Sequence, residues 1–309
     1  MPRIAHSLVA ALLVTLPATV SAAPVWVGDF ESGDLSQWDG SLNEEIGGVD
    51  YITVVGDVVV QGSSAGRIEL HDDAVWPGNM LRRVELRHRP SRGRTDEGAT
   101  VWFAWSFYLP EALSDEPGTT IGYWESAGSF QQMMAFNTHG QDIRFITQRP
   151  SFVEQWSGDG LLTPGEWHRI AMRVLWSTDE AVGEVEVWFD GEQVLAPTHT
   201  QTLADGNDHF TQLGLLRGNM DFDDVPVIYI DDVVEGDSIE DVHPALEPVG
   251  EDTGSSSSGG EGGTAADTGV DSGGTGGDGS STTTGNADDG DGSTVSATGA
   301  TGSVDSTQG

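Results

Sequence analysis

The chain is 309 residues long and strongly acidic, with a formal net charge of -37 and a pI near 4.1. It contains no cysteine, which excludes disulfides, thiolate metal sites and a lipid-modified N-terminal cysteine. The negative charge also opposes nucleic-acid binding, because phosphates would be repelled.

Residues 1–22 have the layout of a cleaved secretory signal. A short polar start containing Arg3 precedes an apolar run from Leu8 to Leu16, and small residues lead to a cut expected after Ala22. The pattern predicts a protein secreted to the extracellular space or cell surface. No other run approaches the ~18 apolar residues that a membrane span needs, so we expect no transmembrane segment.

Residues 23–246 have the sequence pattern of a single all-β domain. Aromatic and β-branched residues fill "VWFAWSFYLP", and "HRIAMRVLW" and "VEVWF" alternate between apolar and polar positions. Asp190-Gly191 is a hairpin turn signal, and "VPVIYIDDVV" is apolar enough to be covered on both faces. Many short strands without a helical period predict an antiparallel sandwich or jelly roll. We expect a monomer.

Residues 247–309 have a different composition. Gly, Ser, Thr, Asp and Ala dominate, and aromatic and basic residues are missing from this segment. Such a segment cannot bury enough apolar surface to offset the entropy cost of ordering it. The sequence therefore predicts a disordered acidic tail.

Arginine is concentrated in one short stretch. All 13 basic residues are arginines, and six of them lie between Met80 and Arg94. In a strand, Arg83, Glu85 and Arg87 share one face. Arginine stays charged and binds carboxylates in a bidentate manner, which favours an acidic ligand. The alternative is a solvated, charge-balanced strand and loop in a protein whose genome prefers arginine to lysine.

The order of the motifs along the domain resembles the polysaccharide lyases of the jelly-roll type. The motifs are, in order, "DFESGDLSQW", "RRVELRH", "WFAWSFYLP", "FQQMMAFNTHG", "GEWHRIAMRVLWS", "VEVWFDGEQV", "HFTQLGLLRG" and "VIYIDDVVEG". The likeness is to the glucuronan lyase and heparin lyase I groups and, more distantly, to the alginate lyases. It implies a concanavalin-like fold of two curved antiparallel sheets, with an acidic polysaccharide lying across the concave face.

The resemblance also implies a chemistry and a set of groove residues. Such lyases cleave uronic-acid polymers by β-elimination, in which a proton leaves carbon 5 beside a carboxylate that must be neutralised. "RVELR" matches the arginine-glutamate strand of the alginate lyases. It implies that Arg83, Glu85 and Arg87 bind the substrate.

The expected proton-transfer residues are out of register. The family typically has a Gln-x-His strand, but two residues after Gln132 the chain has Met134. The family also has a late tyrosine strand, but alignment on Gly214 places Phe210 and Leu216 at the two tyrosine positions. Gln132 is predicted as an amide that neutralises the carboxylate, and the alternative is a polar residue on a half-exposed strand face.

Other residues remain candidates for the missing roles. Histidine is a natural base near neutral pH, so His139 is predicted as the base, with Asn137 beside it in the groove. Tyr123, just before the strand that contains Gln132, is a second candidate for proton transfer. His209 and Arg217 flank the late strand, and Arg217 is predicted to bind substrate. A surface turn is the alternative for His139, and His168 is predicted to be structural.

Acidic residues near the two ends of the domain suggest a calcium ion. "DFESGD" begins the domain and "YIDDV" ends it, and in many jelly-roll domains these strands are neighbours. Glu31, Asp231 and Asp232 would supply the oxygen ligands that Ca²⁺ prefers. The alternative is an ordinary Gly-Asp turn and an acidic strand end.

Three functions fit the sequence unequally, and a purely structural surface protein is a further alternative because of the tail. The first is an enzyme that cleaves an acidic polysaccharide by β-elimination. The second is a carbohydrate-binding relative that kept the groove and lost the catalytic His and Tyr. The third, a glycoside hydrolase, needs two carboxylates flanking the bond, usually as Glu-x-Asp-x-x-Glu. Neither "GEVEVWFDG" nor "IELHDD" fits that spacing, so the hydrolase ranks last.

Overall fold

The computed structural model describes residues 23–246, and within them the chain is almost entirely β-structure. The predicted signal segment and the predicted tail lie outside the described residues. The strands are, in chain order, β1 (Trp26–Gly28), β2 (Gly40–Leu42), β3 (Glu45–Ile46), β4 (Val49–Asp50), β5 (Ile52–Val55), β6 (Ala65–Glu69), β7 (Arg82–His88), β8 (Thr100–Tyr108), β9 (Thr119–Ser126), β10 (Gln132–His139), β11 (Asp142–Thr147), β12 (Val153–Gly158), β13 (Trp167–Leu175), β14 (Glu184–Phe189), β15 (Glu192–His199), β16 (His209–Arg217) and β17 (Val227–Gly236).

Two large antiparallel sheets contain nearly all of these strands. The first sheet has the order β15-β14-β13-β8-β17-β6-β5, and β1 also pairs with β17. The second sheet has the order β12-β11-β10-β9-β16-β7-β2. The short strands β3 and β4 pair only with each other. This arrangement confirms the predicted all-β jelly roll.

The core lies between the two sheets, as the alternation of apolar residues predicts. From the first sheet, Ile170, Met172 and Val174 of β13 are at most 1% exposed and belong to the main apolar cluster. From the second sheet, Val84 and Leu86 of β7 are fully buried in the same cluster. The intervening residues of β7 therefore lie on the outer face of the second sheet.

A short helix covers part of the opposite surface. Helix α1 (Ile239–Val242) follows β17 directly. Its Val242 and Ile239 pack with Trp188 of β14 and Ala104 of β8, which lie on the outer side of the first sheet. The outer faces of the two sheets are thus different: the first carries this small apolar cluster, and the second carries charged residues.

Two further predictions from the sequence are also confirmed. Asp190 and Gly191 have φ values of 48° and 87° and form the tight turn between β14 and β15. The first and last strands are neighbours, since Gly28 of β1 is opposite Val233 of β17. The described residues include no helix long and apolar enough to cross a membrane.

Candidate active site

Strand β7 brings the predicted arginines to the outer face of the second sheet. Its neighbour β16 places Gln212 opposite Arg87 and Leu216 opposite Arg83. Beyond β16 lies β9, where Tyr123 is opposite Gln212. The strand order β7-β16-β9 therefore gathers polar side chains from three strands on one surface.

Six of these side chains form a cluster that we call the arginine–glutamate network: Arg83, Glu85, Arg87, Tyr123, Glu125 and Gln212. The Arg83 Nε donates to Glu85 Oε2 at 2.5 Å, and its Nη2 donates to the Tyr123 hydroxyl. Gln212 Nε2 donates to the Tyr123 hydroxyl at 2.8 Å and to Glu125 Oε1 at 2.6 Å. These bonds connect Glu85 to Glu125 through Arg83, Tyr123 and Gln212.

Burial and the neighbouring Glu85 together determine the protonation states of Arg83 and Tyr123. Burial opposes the charge of Arg83, but the nearby Glu85 carboxylate outweighs it and raises the pKa of Arg83. Burial and the charge of Glu85 raise the pKa of Tyr123 well above its usual value. Arg83 therefore stays a cation paired with Glu85, and Tyr123 stays a neutral phenol at physiological pH.

Glu125 has a different character. It is 8% exposed, and burial raises its pKa to about 7, against the opposing pull of Arg83. A carboxyl with such a pKa exists in both protonation states near neutral pH, as a general acid or base requires. Its amide partner Gln212 can donate to either state.

Arg87 retains an unused hydrogen-bond donor. Its buried Nε has no hydrogen-bond partner among the described residues. Burial and repulsion from Arg89 lower the pKa of Arg87. Both guanidinium groups lie over the ring of Phe210, at 5.6 Å from Arg87 and 5.2 Å from Arg89. An anionic ligand that contacts the half-buried Arg87 guanidinium would relieve the repulsion between the two cations.

The structure places Gln132 and Asn137 on β10, one strand beyond Tyr123. Gln132 is opposite Glu125, and its Oε1 accepts a bond from Gln148 at 3.0 Å. Asn137 is opposite Thr120, whose hydroxyl donates to it at 2.7 Å. Gln132 is therefore the closer of the two to the network. With strands about 4.8 Å apart, β10 is about 14 Å from β7.

The structure does not bring His139 or Arg217 to the network. His139 ends β10, seven residues from Gln132, and its Nδ1 lies 3.1 Å from the carbonyl of Asp115. Arg217 is opposite Arg82, one residue past Leu216, and so projects from the other face of the sheet. Its guanidinium donates to Asp224 at 2.6 Å and is 1% exposed.

Two further histidines have structural bonds. His168 Nε2 accepts from the Thr163 amide at 3.0 Å, while its Nδ1 lies 2.8 Å from Asp190, consistent with the predicted structural role. His209 Nε2 accepts from the Ala204 amide at 3.0 Å, and burial lowers the pKa of His209. Each ring holds a turn in place.

The three carboxylates predicted to bind calcium do not fit one ligand set. Glu31 accepts from Ser63 and Ser64, Asp231 accepts from backbone amides including that of Val60 at 3.0 Å, and Asp232 pairs with Arg169 at 2.7 Å. No group of three metal-binding side chains occurs between residues 23 and 246. Calcium binding stays a prediction, which melting curves with and without a chelator would check.

Sequence reasoning missed Glu125 and Gln212. In "GYWES" and "HFTQLG" the residues alternate between the two faces of a strand, which places Tyr123 with Glu125 and Gln212 with Gly214. That signal was present in the sequence. What the sequence did not show is that β16 lies beside the arginine strand, with β9 next and β10 one strand further away.

Comparisons with known proteins agree on the fold. The family model described as Polysaccharide lyase matches residues 30–234. The chain is similar to an endo-β-1,4-glucuronan lyase from the fungus Trichoderma reesei, with a TM-score of 0.57 and 20% identity over 71% of this chain and 98% of that one. It is also similar to a GH131 β-glucanase catalytic domain from Podospora anserina, with a TM-score of 0.52 and 19% identity over 70% and 97%.

A third solved structure is more distant. An alginate lyase of polysaccharide lyase family 7 has a TM-score of 0.45 and 15% identity over 60% of this chain and 81% of that one. No curated protein sequence matches the chain. At these identities the glucuronan lyase and the β-glucanase establish a shared fold and nothing more.

Proposed function

We propose that this chain, which belongs to the polysaccharide lyase family, is a secreted enzyme that cleaves a uronic-acid polysaccharide by β-elimination. The observation that carries the proposal is the half-buried Arg87 guanidinium, which forms no ion pair among the described residues, beside a glutamate whose pKa is raised to about 7. An anion-binding arginine and a group able to transfer protons are the two parts that such an elimination needs.

The contacts of each residue indicate its role in the reaction. Arg87 forms no ion pair among the described residues, and its half-buried guanidinium binds the carboxylate of the uronate that reacts, which stabilises the negative charge that develops when the carbon 5 proton leaves. Arg83 is already paired with Glu85, so it holds Tyr123 in place and contributes positive potential. Gln132, opposite Glu125 on β10, adds an amide donor to the same polar surface.

We infer β-1,4-linked glucuronan as the first substrate to test, since a glucuronan lyase shares the fold over nearly its whole length. The polymer and the protein meet outside the cell if residues 1–22 act as a signal. No other macromolecular partner is needed for the reaction, and a monomer carries the complete network on one sheet.

Two other functions are the alternatives. A binding protein would hold the same polymer through Arg87 without cleaving it, because His and Tyr are missing at the family positions. A glycoside hydrolase would use Glu85 and Glu125 as its two carboxylates. It is an alternative because the chain is similar in fold to a β-glucanase. The pairing of Glu85 with Arg83 argues against the hydrolase, since Glu85 is only 1% exposed.

The test is a polymer panel with two assays on the full secreted chain. Glucuronan, alginate, heparin and pectate are followed by the ultraviolet absorbance of unsaturated uronate ends, and a β-glucan is followed by the release of reducing ends. An increase in ultraviolet absorbance when a uronan is added supports lyase activity. Binding to a uronan without unsaturated ends would identify a binding protein, and cleavage of β-glucan alone would identify a hydrolase.

A further inference from the structure

Glu125 occupies the centre of the polar surface on the second sheet. On β9 it is opposite Phe210 of β16 on one side and Gln132 of β10 on the other. Phe210 carries the guanidinium of Arg87 over its ring, so Glu125 lies beside the proposed carboxylate-binding arginine. Its Oε1 is bonded to Gln212, and no arginine forms a salt bridge with it among residues 23–246.

The other members of the network are poor proton carriers. Tyr123 is held by Arg83 and Gln212 and is 3% exposed. Burial raises the pKa of Tyr123 far above neutrality, so it does not become a base at physiological pH. Glu85 is paired with Arg83 and only 1% exposed, so a substrate does not reach it. Amides do not exchange protons in this range, and arginines remain charged. The predicted base His139 lies at the far end of β10.

We propose that Glu125 is the proton-transfer residue of this site, in place of the histidine and tyrosine that the family typically has. The proposal rests on the proposed function. The Glu125 carboxylate takes the proton from carbon 5, and the electron pair of the C5–H bond forms the C4=C5 double bond. The C4–O4 bond breaks and its electron pair stays on O4. Glu125 then gives its proton to O4 and returns to the carboxylate.

A single proton carrier sets a stereochemical limit. It can serve both steps only when the carbon 5 proton and the O4 group leave from the same side of the ring, as they do in β-1,4-glucuronan. In a galacturonan the two groups lie on opposite sides, which needs a separate acid and base. The site is therefore a syn-eliminating one, selective for glucuronan over pectate.

The experiment compares wild type with Glu125→Gln on glucuronan, using unsaturated ends for turnover and fluorescence titration for binding. We expect kcat to fall by about 10²- to 10⁴-fold, the usual contribution of a general acid-base residue, with Kd changed by less than about 3-fold. The wild-type kcat/KM should rise with pH through about 7, since the base form is needed. Glu125→Asp should have a higher kcat than Glu125→Gln, and its kcat/KM should rise over a different pH range from that of wild type.

The matched control is Glu192→Gln, which removes an exposed carboxylate from β15 of the first sheet and should leave kcat unchanged. If Glu125→Gln keeps kcat within about 10-fold of wild type, or pectate is cleaved as fast as glucuronan, the assignment of Glu125 is overturned while the lyase function stands. If wild type yields no unsaturated ends on any polymer, the lyase function itself fails, and this role of Glu125 fails with it.

Discussion

Arg87 and Arg83 belong to one motif and are predicted to respond differently to substitution. Arg87→Ala should weaken glucuronan binding by about 10- to 100-fold, the effect of one charge-assisted hydrogen bond, because its half-buried guanidinium forms no ion pair among the described residues. The melting temperature should change little. Titration with a labelled uronan oligomer measures binding, and Arg92→Ala, in the exposed loop after β7, is the control. If Arg87→Ala and Arg92→Ala weakened binding equally, the polymer would be attracted by overall positive charge and not by a specific contact with Arg87.

Arg83→Ala should instead destabilise the fold. Arg83 is 6% exposed and its partner Glu85 is 1% exposed, so the change leaves a buried carboxylate without its cation. Breaking a buried pair in this way costs about 3 to 5 kcal/mol. Urea unfolding at neutral pH measures the loss. A double change to Arg83→Met with Glu85→Leu should recover most of the stability, and no recovery would contradict this account.

Glu125 should reduce stability at the pH where it functions. Its pKa is raised from 4.5 to about 7, so the neutral form is favoured in the folded state. Its contribution to stability is fully present below pH 4.5 and is lost as pH rises through about 7. Glu125→Gln mimics the neutral acid, so it should match wild type at pH 4 and exceed it by about 3 kcal/mol at pH 8. Denaturant curves at the two pH values test this; the same difference at both would contradict it.

At the scale of elements, the packing of β16 against β7 depends on Gly214. It lies opposite Glu85 with a φ of 148°, and a Cβ there would overlap the carbonyl oxygen of Val84 and come within 2.9 Å of the Glu85 Cα. Gly214→Ala should cost about 2 to 3 kcal/mol and weaken uronan binding, because β16 would be pushed away from the arginine strand. Gly206→Ala, in a loop with open space around it, is the control and should change stability by less than about 0.5 kcal/mol.

Strands were predictable from the sequence, and their order was not. Alternation identified β13 and the hairpin at Asp190-Gly191, because side-chain period and turn chemistry are local properties. The same alternation put Arg83, Glu85 and Arg87 on one face. The pairing of β7 with β16, and of β16 with β9, joins residues more than 80 positions apart. No local pattern encodes such pairings, so Glu125 was passed over in favour of Gln132 and His139.

At the scale of the whole molecule, charge opposes the proposed substrate. A chain of net charge -37 repels an anionic polymer at long range, while the arginines attract it at contact. Raising the salt from about 10 mM to about 100 mM shortens the Debye length from ~30 Å to ~10 Å, which screens the repulsion more than the contacts between partly buried groups. The rate of association with a uronan should therefore first increase with salt, and should fall only at higher salt as the arginine contacts are screened.

Stopped-flow mixing of the full chain with a fluorescent glucuronan oligomer measures this rate. Arg87→Ala is the informative comparison: it should keep the rise at low salt, which comes from the overall charge, and lose most of the fall at high salt, which comes from the arginine contact. A rate that falls steadily from the lowest salt in wild type would mean that the arginine surface outweighs the net charge at all distances. The acidity of the chain would then have no effect on how the polymer approaches the site.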